Sequence, residues 1–252
     1  MSIKKLVGLI RKADKAYQMI EDGDRVAVGV SGGKDSMLLL YCLSKYQAVA
    51  KRFDNKEFEI VGIHLDMGFS NMDFQEVRDF CKKENIEYYD IKTRLYDILK
   101  LNNNEDNTLK CSLCSTFKKG AVIKEAKRLG CNKTAFAHHA DDAIETLMMN
   151  MIYGGKIATF APKMYLNDSE MMFIRPFIYA FESQLRQSIQ EINIPVVKST
   201  CPNDGFTKRQ DIKELLQNIY HQYPSAKNNF LLALHNEKQL ALWHEITENK
   251  EI

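Results

Sequence analysis

The sequence predicts an α/β fold: a doubly wound parallel sheet followed by a helical C-terminal region. Three observations predict it. Short apolar, β-rich runs alternate with helical apolar patterns, a Gly-rich turn separates the first such run from its helix, and the alternation stops after Lys156. At 252 residues the chain has room for one large core with a modest appendage rather than two full domains.

Residues 1–24 read as a basic amphipathic helix and not as an export signal, because Lys and Arg interrupt a short apolar stretch and no small-residue cleavage site follows. Residues 25–180 carry the alternation. RVAVGVS at 25–31 is a strand that runs into a Gly turn, and KDSMLLLYCLSKY is the helix after it. EIVGIHLD at 59–66 is a buried strand, FQEVRDFCKKE a helix, and the run from Glu87 a third strand. After the polar LNNNEDNTLK come a CxxC, a helix ending at Gly130, the strand TAFAHH and the helix DDAIETLMMNMIYGG. PKMYLNDSEMMFIRPF reads as a strand pair around a polar turn, and residues 181–252 hold helices near 181–193, 207–222 and 226–246. A sheet of this kind binds ligands beyond the carboxyl ends of its strands.

Composition narrows the class. The 45% apolar and 27% charged fractions are ordinary for a soluble globular protein, and no apolar run approaches the roughly 18 residues of a membrane span. The expectation is a cytoplasmic protein with no membrane partner. A net charge of +2 does not mark a nucleic-acid binder, although basic residues cluster from Lys4 to Lys15, Lys118 to Arg128 and Lys208 to Lys213. Without an export signal, Cys42, Cys81, Cys111, Cys114, Cys131 and Cys201 are expected to stay reduced, and Cys42, Cys81 and Cys131 read as small buried thiols.

The chemistry concentrates in a few segments. Ser31, Gly32, Gly33, Lys34, Asp35 and Ser36 form SGGKDS directly after a buried strand and directly before a helix. Glycines there let the backbone turn around an anion, and the helix start supplies N–H groups and partial positive charge. The spacing is neither that of a Walker A loop nor that of the dinucleotide GxGxxG. Cys111 and Cys114 are expected just ahead of a helix, where its N-terminus favours thiolates, with Cys201 as a distant third in a PNDG turn. A structural zinc site wants a fourth ligand, which His138 or His139 would have to supply; a redox disulfide and inert thiols are the other readings. In AHHADDAIET, Asp141 reads as a helix cap and Asp142 as the stronger functional candidate.

SGGKDS resembles the pyrophosphate loop of the N-type ATP pyrophosphatases, which include GMP synthetase, lysidine synthetase and the tRNA thiolases. HLD at 64–66, CSLCSTFKKG, AHHADDAIET, MNMIYGGK, the IRP at 174–176, and Cys201 followed by KRQ are similar, in that order, to the tRNA 2-thiocytidine biosynthesis (TtcA) family. The resemblance spans roughly residues 16–225. It implies an adenine nucleotide alpha-hydrolase type of fold that uses ATP and Mg²⁺. Ser31 to Ser36 would hold the pyrophosphate, and His64, Leu65, Asp66 and His139 the rest of the nucleotide. Lys118, Asp142 and Asp35 would be catalytic, and Cys111, Cys114 and Cys201 would ligate a [4Fe–4S] cluster. It further implies a tRNA substrate, with an anticodon-loop cytidine thiolated at C2, a sulfur donor that is a cysteine desulfurase or sulfide, and room for a homodimer. Another tRNA uridine, persulfide chemistry and a PP-loop amidating ligase are the alternatives. One departure stands out: KSTC places Lys198 where the family usually has a second cysteine beside Cys201.

Overall fold

The computed structural model describes residues 2–68, 72–101, 110–198, 200–201 and 208–236, and for Cys111 and Ser112 the backbone alone. Helix α1 (Ile3–Tyr17) precedes strand β1 (Asp24–Val30), helix α2 (Lys34–Asp54), strand β2 (Phe58–Asp66), helix α3 (Gln75–Lys83) and strand β3 (Glu87–Lys92). Helices α4 (Leu95–Lys100) and α5 (Cys111–Arg128) lead to strand β4 (Lys133–Ala135) and helix α6 (Ala140–Gly154). A hairpin of β5 (Lys163–Leu166) and β6 (Met171–Ile174) follows, then α7 (Glu182–Glu191), α8 (Lys208–Gln222) and α9 (Ala226–Ala233).

The six strands lie in the order β3-β2-β1-β4-β6-β5. All neighbours are parallel except the β5–β6 hairpin, which adds one antiparallel edge strand to the expected parallel sheet. Alternation along β1 builds two cores. Val26, Val28 and Val30 pack with Leu6 and Ile10 of α1 and Leu39 and Leu43 of α2, whereas Ala27 joins Val61, Ile63 and the α5 residues Val122 and Ala126. The chain winds outward from β1 through β2 and β3 on one side and then returns to β4 on the other, so the carboxyl end of β1 is the topological switch point where a ligand crevice opens.

The C-terminal helices are tied to this frame. Leu185 of α7 is buried in the larger core, and Ile212 and Leu216 of α8 close over Ile144 of α6. Among the described residues no helix is long and apolar enough to cross a membrane.

Two local expectations change. The CxxC does not precede α5 but forms its first turn: Lys110 is the N-cap and the Cys114 N–H bonds the Lys110 carbonyl at 3.0 Å. No Gly or Pro between Lys110 and Lys119 opposes helix there. The short helix α4 was not expected at all, and its Leu99 packs under Met67 and Cys114. The LNNNEDNTLK stretch up to residue 109, the PNDG turn and the chain beyond residue 236 lie outside the described residues.

Candidate functional site

The phosphate-type loop is shaped by its own serines. Ser36 Oγ accepts the Ser31 N–H at 3.1 Å and donates to the Gly33 carbonyl at 2.9 Å, which folds SGGKDS back over the start of α2. Gly32 has φ +83°, and a Cβ there would lie 2.8 Å from the Phe74 ring and 3.0 Å from Val197 Cβ. Only glycine meets both demands. Phe74 in turn stacks on His64 with ring centroids 3.6 Å apart, and His64 Nδ1 lies 3.0 Å from the Val30 carbonyl. Burial lowers the His64 pKa, with the hydrogen bond to Val30 opposing it, so the imidazole is a neutral brace under the loop.

A cavity of about 890 Å³ opens at the switch point. Ser31, Gly33, Asp35 and Ser36 line its floor; His64, Leu65 and Asp66 line it from the end of β2. Cys114 and Lys118 enter from the first two turns of α5, and Cys201 from the segment that follows α7. Of the candidate site residues, these ten share one space. Among the described residues no three ligating side chains converge as a metal site, and the side chain of Cys111 lies outside them.

Four candidates stand behind the cavity wall. Gly32 is covered by Phe74 and Val197. Lys34 Nζ contacts Asp35 Oδ2 at 2.7 Å and Glu182 Oε1 at 3.1 Å. His139 is the N-cap of α6: its ring accepts the Asp142 N–H, and its own N–H donates to Asp142 Oδ2 at 2.9 Å. Asp142 also pairs with Arg209 at 3.3 Å. The carboxylate most exposed to unmet demand is Asp35, whose Oδ1 is buried with no hydrogen-bond partner among the described residues.

The sequence offered His138 only as an alternative zinc ligand and Lys119 only as a member of a basic cluster, and both belong to a further group at the cavity. His138 and Lys119 both line the cavity, and Arg175 lies behind them between the rings of Phe160 and Phe173 at 4.6 and 4.4 Å. Burial, aided by the Arg175 charge, lowers His138 to about 4, and His138 Nδ1 has no hydrogen-bond partner among the described residues. Burial and Arg175 likewise lower Lys119. Of the two histidines only His138 lines the cavity, because His139 is turned back as the N-cap of α6.

The basic clusters are partly compensated. Arg11 and Lys15 share Asp54, Arg128 pairs with Glu125, Arg209 with Asp142 and Glu145, and Lys213 with Glu182. Lys118 and Lys119 are the members that reach the cavity.

A βαβ switch point carrying SGGKDS in place of a Walker loop defines a PP-loop nucleotide-binding protein. Residues 6–219 match the PP-loop domain family. The chain is 33% identical over 235 residues to the tRNA-cytidine(32) 2-sulfurtransferase of Geobacter sulfurreducens, covering 92% of this chain and 90% of that protein. It is 35% identical to the enzyme of the same name from Colwellia psychrerythraea, covering 92% of this chain and 73% of the other. The chain therefore belongs to the PP-loop family of tRNA-cytidine(32) 2-sulfurtransferases. In three dimensions it is similar to the U34-tRNA thiolase NcsA from Methanococcus maripaludis with its [4Fe–4S] cluster, at a TM-score of 0.72 and 22% identity over 95% of this chain and 80% of the other. That likeness fixes the fold.

Proposed function

We propose that this chain is the ATP-dependent enzyme that replaces the C2 oxygen of an anticodon-loop cytidine in tRNA by sulfur. The observation that carries this reading is the single cavity lined by the phosphate loop, Lys118, Cys114 and Cys201, which gives nucleotide activation and sulfur delivery one shared space. ATP and the base are substrates. The loop N–H groups and the start of α2 hold the leaving pyrophosphate. The C2 oxygen attacks the α-phosphorus, the bond to the bridging oxygen breaks, and pyrophosphate departs with the electron pair, leaving an O-adenylated base. Lys118 stabilises the charge that builds on the phosphoryl oxygens. Sulfur then adds to C2, and the C2–O bond breaks with AMP as leaving group. Adenylation is what makes that oxygen depart.

Two further groups fit the residues present. Asp35, with a buried unpartnered oxygen, suits the Mg²⁺ that accompanies ATP. Cys114 and Cys201 both line the cavity, and with Cys111 one helical turn before Cys114 they are the three cysteines that would hold a [4Fe–4S] cluster with one iron left open. When bound, such a cluster supplies an iron position able to carry the incoming sulfide. Asp142 acts from behind the wall, through His139 and Arg209, and Lys34 acts through Asp35. The same reading includes a cytoplasmic setting, a cysteine desulfurase or sulfide as the sulfur donor, and a homodimer as the assembly to test for.

Anaerobically reconstituted protein incubated with unmodified tRNA, ATP, Mg²⁺ and sulfide tests it. The expected products are AMP, pyrophosphate and 2-thiocytidine in equal amounts. ADP and phosphate, or pyrophosphate without a thionucleoside, would overturn it.

A further inference from the structure

The phosphate loop and helix α8 meet at one carboxylate. Glu182 opens α7, and its Oε1 lies 3.1 Å from Lys34 Nζ in the loop and 2.8 Å from Arg186 Nη2. Its other oxygen, Oε2, lies 2.8 Å from Lys213 Nζ on α8, the helix that follows Cys201. The Glu182 N–H donates to Asp141 Oδ2 at 2.7 Å, and its side chain is only 13% exposed. Burial raises its pKa, but hydrogen bonds from Lys213, Arg186 and Lys34 outweigh burial and hold it well below the usual carboxylate range. It is an anion at any working pH.

An acid in the first turn of a helix is commonly just a partner for the helix dipole. That explanation accounts for the position of Glu182 but not for the use of its two oxygens on two different elements. Lys34 Nζ passes the contact on to Asp35 Oδ2 at 2.7 Å, so the loop is tied to α7 and α8, and the Val197 N–H bonds the Gly32 carbonyl at 2.9 Å, which ties the approach to Cys201 to the same loop. One of those links is a fixed backbone bond; the other runs through side chains.

We propose that Glu182 is a positioning residue for the thiolation reaction: one oxygen sets Lys34 and thereby Asp35 in the phosphate loop, while the other sets α8, which carries Arg209 against Asp142. The inference rests on the thiolase reading above. Activation and sulfur transfer need the α-phosphate, the base and the sulfur held to a fraction of an ångström, and a misplacement of about 1 Å costs about a hundredfold in rate. Referring both elements to one carboxylate keeps them in a common frame.

The test compares Glu182→Gln, Glu182→Asp, Lys213→Met and the Glu182→Gln/Lys213→Met double variant with the wild type. Amide hydrogen exchange is read in peptides covering residues 31–36 and 208–216, and pyrophosphate release with tRNA is read at steady state. Glu182→Gln is expected to fold, to exchange faster in both peptides, and to lose about tenfold or more in kcat with KM for tRNA within about twofold. Glu182→Asp should recover part of that loss, and the double variant should be no worse than its worse parent. Unchanged exchange in either peptide, additive kcat losses, or a loss that follows unfolding with no recovery in Glu182→Asp would overturn the proposal. A wild type that releases no pyrophosphate with tRNA would sink the thiolase reading, while the exchange data would still decide whether Glu182 couples the two segments.

Discussion

The backbone N–H of Val197 donates to the carbonyl of Gly32 at 2.9 Å, so the strand of chain that leads to Cys201 is bonded directly to the phosphate loop. Gly32 permits this because it holds φ +83° with no side chain between Phe74 and Val197. Gly32→Ala should therefore cost about 1–3 kcal/mol of stability from the left-handed backbone and the clash together. It should also raise KM for ATP and impair thiolation at the same time. Urea unfolding beside pyrophosphate release checks both. A variant with wild-type stability and turnover would contradict the packing described.

Ser36 serves the loop through three bonds of one hydroxyl, to the Ser31 N–H, the Ser31 hydroxyl and the Gly33 carbonyl. Ser36→Ala leaves the Ser31 N–H without its partner, at about 0.5–1.5 kcal/mol because Ser31 is exposed. The expected result is a KM for ATP raised several-fold with tRNA binding unchanged, measured by pyrophosphate release and filter binding. Asp35→Asn should lower kcat more than it raises KM, since its unpartnered oxygen is the one that suits Mg²⁺.

The cysteines should separate into two groups. Burial pushes the Cys81 thiol up to about 12 and raises Cys42 and Cys131 as well, so all three are protonated at neutral pH. They should resist iodoacetamide in the folded protein. Cys114→Ser and Cys201→Ser should abolish iron content and thiolation together, whereas Cys131→Ser should leave both near wild type. Mass mapping of alkylated cysteines and iron analysis of anaerobic preparations read the outcome.

Burial lowers His138 from 6.5 to about 4, so between those values the unfolded chain binds a proton that the folded chain does not. Stability should fall as pH drops through that window and be independent of His138 above it. His138→Gln should lose less stability than the wild type between pH 7.5 and 5, by thermal unfolding. Equal losses in the two proteins would mean that the imidazole is protonated in the fold.

Much of this was legible in the sequence, for reasons that are local. SGGKDS between a β-rich run and a helical pattern determines a strand, a turn and a helix start, and the structure has β1, the loop and α2 there. The polar turn in PKMYLNDSEMMFIRPF likewise produced the β5–β6 hairpin. What escaped depends on direction and on long-range packing. A six-residue helix such as α4 has too little periodicity to announce itself, and its Leu99 is ordered by Met67 and Cys114 from elsewhere in the chain. The choice between His138 and His139 turns on His139 being spent as the N-cap of α6, which the motif alone does not resolve. The partners of Lys34 and Asp142, Glu182 and Arg209, lie far along the chain, so no spacing rule connects them.

The central claim is that this chain activates and thiolates a tRNA cytidine, and nucleoside mass spectrometry of total tRNA from a strain lacking the gene tests it most directly. The account predicts that 2-thiocytidine disappears, that the other thionucleosides persist, and that the wild-type gene but not its Cys201→Ser form restores it. A thionucleoside profile unchanged by the deletion would contradict it.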